Sequence, residues 1–258
     1  MKRTLILAFG ILFSVTSKIE AKLTPEKIYE EANYVCGVTF VVEFEGIDAS
    51  SRTSSQNQTW GGSCAAVEFD GQKIILTAAH IFDFDIAESL RGINGFRAMN
   101  GKTPWVRITT FTASTFVYFK NYPLLKIPAV VKEKDKDADL AIIEPINKTY
   151  YKYIKTARLG NEKEIKIGNK VMTIGNPNSL NFILIVGNIA QILDYPYPRY
   201  IFTSPMINPG NSGGPLLNER GECIGIAKGM YSNLGLSYSI FIRIEDIKDF
   251  LKKYVKTP

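Results

Sequence analysis

The stretch NPGNSGGPL, at residues 208–216, is the most informative part of the chain. Three of its residues are glycines, which allow backbone angles that a Cβ forbids, and a proline near each end stiffens the turn. Such a turn can direct amide N–H groups to one side. A hydroxyl beside those amides, here that of Ser212, suits acyl transfer because the amides stabilise the oxyanion while the hydroxyl attacks. The alternative is a glycine-rich surface turn between strands, since Gly, Asn, Ser and Pro are common in turns.

The chain contains a single histidine, His80, which ends the sequence LTAAH. A lone histidine is more often structural than catalytic. A serine, however, attacks an amide efficiently only when a neighbouring group takes its proton, and neutral imidazole does so near neutral pH. If Ser212 is a nucleophile with an imidazole partner, that partner must be His80. The small side chains of Ala78 and Ala79 leave room for the ring at the end of a predicted strand.

An imidazole base needs an acceptor on its second nitrogen, which fixes the tautomer and stabilises the imidazolium. Asp139 directly precedes the apolar run LAII, so we expect it at the entry of a strand that fixes its direction. Asp135 and Asp137 lie in an alternating Lys-Asp segment, which is more simply a solvated loop. We therefore select Asp139 as the acceptor.

The amino terminus has the features of a secretory signal peptide. Lys2 and Arg3 precede an apolar run over residues 5–15, and Ala21 provides a small residue before a cut. The run is too short to span a bilayer, which takes about 20 residues. We expect residues 1–21 to be removed and the rest to be exported, to the periplasm or the medium, with no stable membrane span.

The composition is that of a globular protein, with 45% hydrophobic and 22% charged residues among 258. The net charge of +6 comes from dispersed lysines, so we expect no nucleic-acid partner. Cys36, Cys64 and Cys223 form no C-x-x-C pair, so we expect neither a metal site nor a cofactor. In an oxidising compartment one disulfide could form; Cys36 with Cys64 is the first pair to test, although sequence does not establish it.

Many short strands separated by polar turns, with helices only at the ends, favour an all-β barrel or sandwich. The strongest hairpin signal is Asp70-Gly71, and polar loops are predicted at 45–60 and 83–104. Helices are predicted over residues 24–34 and from Ile244 onward. Strands are predicted at 35–44, 64–69, 73–77, 106–111, 115–119, 127–131, 140–143, 170–174, 182–192, 200–203, 223–227 and 236–242.

Three motifs resemble the catalytic motifs of the chymotrypsin-like (trypsin-like) serine proteases: TAAH ending at His80, DLA beginning at Asp139, and GNSGGP around Ser212. Their order also fits that family and not the subtilisin or α/β-hydrolase orders. The sequences GNP at 175–177 and INPGNS at 207–212 are similar to the HtrA/Deg branch. The resemblance covers roughly residues 33–256, but it is specific only in these short motifs.

The resemblance implies two six-stranded antiparallel β-barrels with a C-terminal α-helix. The expected halves are residues 22–148, with His80 and Asp139, and 149–258, with Ser212. It further implies a serine endopeptidase with polypeptide substrates and the triad between the barrels. Its oxyanion hole would come from the segment Gly210, Asn211 and Ser212.

Several departures from the family pattern sharpen this expectation. Asn211 is neutral, whereas digestive relatives carry there an Asp that pairs with a newly cut amino terminus, and no Ile-Val-Gly-Gly start is found. Activation by cleavage is therefore not expected. Ile81 replaces the cysteine that usually follows the histidine, and the chain stops after its terminal helix, so we expect a protease domain without a PDZ domain.

The resemblance also implies a specificity pocket without a carboxylate. We therefore expect a small or medium apolar residue before the cut, and a free strand edge over residues 226–230 for the substrate backbone. The implied pocket residues are Met206, Ile207, Ile226, Ala227 and Lys228.

Two other functions remain possible from the sequence. A non-catalytic binding module or chaperone of the same fold would keep the motifs with the triad misaligned. A glycosidase or lectin-like β protein is less well supported, because no convincing carboxylate pair is present. The oligomeric state is not predicted.

Overall fold

The computed structural model describes residues 22–47, 53–83, 107–195, 197–204, 207–233 and 236–255. The predicted signal peptide and Met206 lie outside the described residues.

Six antiparallel strands close the first barrel in the order β1-β2-β3-β6-β5-β4. They are β1 (Val35–Ile47), β2 (Thr53–Phe69), β3 (Gln72–Ala78), β4 (Arg107–Phe119), β5 (Ile127–Asp135) and β6 (Leu140–Pro145). The β2–β3 turn is the predicted hairpin, in which Asp70 and Gly71 both have positive φ, at 47° and 72°.

The second barrel repeats this order with the next six strands, as β7-β8-β9-β12-β11-β10. They are β7 (Lys170–Gly175), β8 (Ile183–Leu193), β9 (Tyr200–Ser204), β10 (Pro215–Leu217), β11 (Cys223–Asn233) and β12 (Leu236–Arg243). The expected fold class, two six-stranded barrels of chymotrypsin-like type with a C-terminal helix, is confirmed.

In the described part of the chain, two α-helices flank the barrels, as predicted. Helix α1 (Pro25–Glu31) begins after Thr24, whose hydroxyl accepts from the backbone N–H of Lys27 at 3.3 Å. Helix α2 (Ile244–Tyr254) buries an apolar stripe, because residues three and four apart share one face. That stripe consists of Ile244, Ile247, Phe250 and Leu251.

The structure differs from the predicted strands in several places. The two strands predicted at 106–111 and 115–119 are one continuous strand, β4, over the described residues Arg107–Phe119. The loop predicted at 45–60 contains the end of β1 and the start of β2, which pair up to Ile47 opposite Thr53. Ladder hydrogen bonds use only backbone groups, so polar side chains did not prevent pairing there. Strand β10 was missed because it is short and begins with a proline.

Cys36 and Cys64 lie opposite each other on β1 and β2 and form a disulfide, with their Cα atoms 4.8 Å apart. Cys223 is a buried free thiol on β11, and burial raises its pKa to about 12. Over the described ranges, no helix is long and apolar enough to cross a membrane.

Candidate active site

The first barrel brings His80 and Asp139 together by strand pairing. His80 lies in a short 3-10 helix directly after β3, and Asp139 directly precedes β6. The two strands are neighbours, with Ala78 opposite Leu140, so the residues beyond them are adjacent. The Ala79 N–H donates to the Asp139 carbonyl at 3.1 Å, which extends the pairing by one hydrogen bond.

The two side chains are in direct contact. His80 Nδ1 lies 3.0 Å from each carboxylate oxygen of Asp139, and the His80 backbone N–H donates to Oδ1 at 3.0 Å. The Asp139 side chain is 7% exposed and that of His80 is 43% exposed. A proton on Nδ1 satisfies this contact and leaves Nε2 as the basic nitrogen on the accessible side of the ring.

The environment of Asp139 favours its ionised form. Burial alone would raise the pKa of the carboxyl, but the hydrogen bonds and charge of His80, together with the charge of Lys228, leave it below its usual range. A lowered pKa means that ionised Asp139 stabilises the fold above the pKa of the unfolded carboxyl. This contribution is lost as the pH falls through the folded pKa.

Ser212 lies on the glycine-rich turn before β10, where the backbone geometry requires glycine. Gly210 and Gly213 have φ of 100° and 84°. A Cβ added at Gly213 would lie 2.1 Å from Thr77 Oγ1 and 2.2 Å from the Ser63 carbonyl oxygen. The turn can therefore pack against the first barrel only with glycine at this position.

Hydrogen bonds to two carbonyls fix the peptide units of this turn. The Pro209 carbonyl accepts from Asn178 N–H at 2.8 Å, and the Asn211 carbonyl accepts from Gly214 N–H at 2.9 Å. In a trans peptide the N–H points opposite to the carbonyl, so the directions of the Gly210 and Ser212 N–H groups are fixed as well. Neither of these two donates to another group among the described residues.

Asn211 does not join these two amides. Its backbone N–H donates to the Asn208 carbonyl at 3.0 Å. Its side chain is fully buried, and neither amide atom has a partner within the described ranges. A carboxylate there would be buried without a cation, which agrees with the neutral residue in the sequence.

The Ser212 hydroxyl is turned away from His80. It donates to the Lys228 carbonyl at 3.3 Å, and among the described residues no hydrogen bond joins it to the imidazole. The structure therefore brings His80 and Asp139 into contact but leaves the third predicted member unconnected. Catalytic hydrogen bonds often form only when substrate binds, so this arrangement is compatible with catalysis.

Ser63, on β2, was not found from the sequence. It is fully buried where the two barrels meet: its N–H donates to the Ser212 carbonyl at 2.8 Å, and its hydroxyl donates to the Gly210 carbonyl at 2.8 Å. The same hydroxyl accepts from Asn176 N–H at 2.9 Å. Ser63 thus ties the first barrel to the turn that carries Ser212.

The implied specificity pocket is only partly seen. The side chains of Ile207, Ile226 and Ala227 are buried in the hydrophobic core rather than open to a cleft. The strand edge is also shorter than expected, because Ala227 already bonds to the backbone of Gly213 and Gly214. Only from Lys228 onward can this edge of β11 take a further strand.

Beside Gly210, a cavity of about 500 Å³ is lined by residues of both barrels, including Gly62, Tyr118 and Asn178. Gly210 therefore borders a space that an extended chain could enter. Gly62 also needs to be small, since a Cβ there would lie 2.3 Å from Ile81 Cδ1.

Comparison with known proteins places the chain in a family. The model of the trypsin-like peptidase domain matches residues 62–226, a range that includes His80, Asp139 and Ser212. The chain belongs to the trypsin-like peptidase family. The expected resemblance to the HtrA/Deg type is also confirmed by the relatives described next.

Several relatives carry the name probable periplasmic serine endoprotease DegP-like, and two of them illustrate the match. The protein of Rhizobium meliloti (strain 1021) is 30% identical over 137 residues, which cover 50% of this chain and 27% of the relative. That of Chlamydia pneumoniae is 37% identical over 115 residues, covering 43% of this chain and 23% of the relative. The match thus spans about a quarter of the relatives' length.

Solved structures support the fold. The HtrA-type protease AlgW with a tripeptide matches with a TM-score of 0.63 at 19% identity, covering 90% of this chain and 64% of that chain. AlgW with a decapeptide gives a TM-score of 0.64 at 18% identity, covering 90% and 68%. At this level of identity the likeness concerns the fold.

Proposed function

We propose that this chain is a serine endopeptidase in which His80, Asp139 and Ser212 form the catalytic triad. The observation that carries the proposal is the His80–Asp139 contact, in which Nδ1 is 3.0 Å from both carboxylate oxygens. A histidine held in this way is oriented as a general base. Family membership and the names of the relatives support the same activity.

The reaction would begin when the Ser212 hydroxyl rotates from the Lys228 carbonyl toward His80. An extended substrate that pairs with the free edge of β11 would offer its own N–H to that carbonyl and so release the hydroxyl. Ser212 Oγ then attacks the peptide carbonyl while His80 takes its proton. The Gly210 and Ser212 amides stabilise the oxyanion.

His80 next gives the proton to the leaving amine, and the peptide C–N bond breaks. Water then attacks the acyl-serine with the imidazole again acting as base, which releases the acid and restores Ser212. Asp139 stays ionised throughout and stabilises the imidazolium at each transfer.

The substrate preference is proposed to be a small or medium apolar residue before the cut. Its support is the family resemblance alone: none of the residues that it implies for the pocket, Met206, Ile207, Ile226, Ala227 and Lys228, carries a carboxylate. A cationic side chain would therefore lose its water without gaining a partner. Peptides with Val or Arg at this position test the proposal, and a strong preference for Arg would refute it.

Export follows from the predicted signal peptide, and the relatives are named periplasmic. We propose that residues 1–21 direct export and that the two functional halves divide near residues 148 and 149.

A non-catalytic binding module is the second candidate. The observation in its favour is the Ser212 hydroxyl, which bonds to the Lys228 carbonyl instead of the imidazole. A permanent bond of this kind would leave the cleft able to hold a polypeptide without cutting it.

Hydrolysis of an unfolded polypeptide separates the two candidates. We expect wild-type protein without residues 1–21 to cut it, and Ser212→Ala and His80→Ala each to lose roughly 10,000-fold or more in kcat. Ser114→Ala, at an exposed serine of β4, is the matched control. Folded wild-type protein that binds the polypeptide but does not cut it would instead support the binding module.

A further inference from the structure

We propose that Lys228 is a positioning residue of the active site: its ammonium shares the Asp139 carboxylate with His80 and keeps the imidazole uncharged to lower pH. The inference rests on the proposed function, since it concerns the base of that reaction. Lys228 was singled out from the sequence only as a wall of the specificity pocket, and the structure gives its side chain a different place.

The geometry assigns one carboxylate oxygen to two partners. Lys228 Nζ lies 3.4 Å from Asp139 Oδ2, and His80 Nδ1 lies 3.0 Å from the same atom. The backbone of Lys228 reaches the third member, because its carbonyl accepts from the Ser212 hydroxyl. One residue of β11 in the second barrel thus contacts both Asp139 and Ser212.

The ammonium of Lys228 lies close to both the Asp139 carboxylate and the Tyr200 ring. The Lys228 side chain is 34% exposed, and Nζ also lies 5.6 Å from the centre of the Tyr200 ring. Asp139 is its one salt-bridge partner in the described part of the chain. Within those described residues, no second carboxylate competes with Asp139 for the Lys228 ammonium.

Other charged side chains near the His80–Asp139 pair form salt bridges with one another. Asp83, three residues after His80, pairs with Lys134 and Lys136 of the neighbouring β5 end. Asp135 pairs with Lys253 of helix α2. Among the described charged groups, Asp139 contacts the imidazole directly, and Lys228 contacts the same carboxylate.

These two groups act on the imidazole in opposite directions. The Asp139 carboxylate favours the imidazolium, whereas a nearby ammonium disfavours it and also neutralises part of the carboxylate's effect. Removing the ammonium should let the imidazole take up its proton at higher pH.

A simple surface ion pair is the competing explanation. Exposed pairs often contribute nothing measurable, because water and salt screen them. That explanation predicts no change in the protonation of His80 when the charge of Lys228 is removed. It also predicts that any loss of activity is the same at every pH.

The single histidine makes a direct test possible. In untagged Ser212→Ala protein, NMR can follow the one imidazole through a pH titration without hydrolysis of the protein itself. Lys228→Met keeps the apolar stem and removes the charge, so we expect its titration midpoint to rise by about half a pH unit, a partly exposed charge having a reduced effect. Lys228→Arg keeps the charge and should stay close to the parent.

An unchanged or lower midpoint in folded Lys228→Met would overturn the inference. Lys228→Gln is the second uncharged variant if the methionine protein does not fold, as judged by its melting curve. In active protein, the acid limb of kcat/KM should move by the same amount and direction as the NMR midpoint. A uniform loss of activity with no movement of the limb would also overturn it.

The two proposals fail in different ways. Wild-type protein that does not hydrolyse peptides, but whose imidazole midpoint depends on Lys228, would refute the protease proposal and keep the charge coupling. Active protein with a midpoint independent of residue 228 would refute the role of Lys228 alone.

Discussion

The two barrels share one strand order, yet they contribute to the site differently. The first barrel holds His80 against Asp139 by pairing β3 with β6, so this contact lies within one barrel, and Lys228 of the second barrel reaches it through the Asp139 carboxylate. The second presents Ser212 on a turn, with the hydroxyl on the Lys228 carbonyl. The difference teaches that the proposed base is held in place within one barrel, whereas the proposed nucleophile lies on a turn whose packing depends on the contact between barrels.

The barrels also differ in covalent bracing. A disulfide joins β1 and β2 of the first barrel, whereas the cysteine of the second barrel is a free, buried thiol. The disulfide therefore lies in the barrel that holds His80 against Asp139.

The largest effect is expected from breaking the preformed pair. Asp139→Asn should keep the shape of the site but hold the imidazole in the wrong tautomer, which lowers kcat by about 10,000-fold. The measurement is peptide hydrolysis near neutral pH. Asp137→Asn, at an exposed residue two positions earlier, is the control; equal losses in both variants would contradict the selection of Asp139.

A smaller effect is expected from loosening the contact between barrels. Ser63→Ala removes the hydroxyl that donates to the Gly210 carbonyl and leaves that acceptor without this donor. We expect kcat to fall by roughly 10- to 100-fold, because the turn that carries the Gly210 and Ser212 amides would be held less firmly.

In Ser63→Ala, the NMR signal of His80 shows whether the His80–Asp139 contact changes along with the turn that carries Ser212. It should be nearly unchanged in Ser63→Ala, since the His80–Asp139 pair belongs to the first barrel. Ser204→Ala, at an exposed serine of β9, is the control for the rate. A large change of the imidazole signal in Ser63→Ala would mean that the pair also depends on the barrel contact.

The smallest effect on the rate is expected from removing the disulfide. Replacing Cys36 and Cys64 together by alanine opens a loop with a sequence separation of 28 and should lower the free energy of unfolding by about 3 kcal/mol. Folded protein should keep its rate within about threefold, because strand pairing alone joins His80 to Asp139. Denaturant unfolding and hydrolysis measure the two quantities.

Reducing agent provides the comparison for this variant. It should destabilise the wild type and leave the double variant unchanged. Equal sensitivity of both proteins would show that the disulfide is not the source of the stability.

Local sequence patterns predicted most of the strands and the strand-entry position of Asp139, because burial and turn chemistry act over a few residues. They did not reveal Ser63, which bonds to a carbonyl 147 positions away. Nor did they show that the Lys228 side chain reaches Asp139, since only the docking of β11 against the first barrel sets that distance. The direction of the Ser212 hydroxyl is likewise a property of the packed turn.

Covalent labelling tests the central claim most directly. A fluorophosphonate reacts with a serine only when a base activates it and amides stabilise the product. We expect mass spectrometry to find one adduct on Ser212 in the wild type, and little or none in Ser212→Ala or His80→Ala. Folded wild-type protein without an adduct, or with the adduct on another serine, would contradict the account.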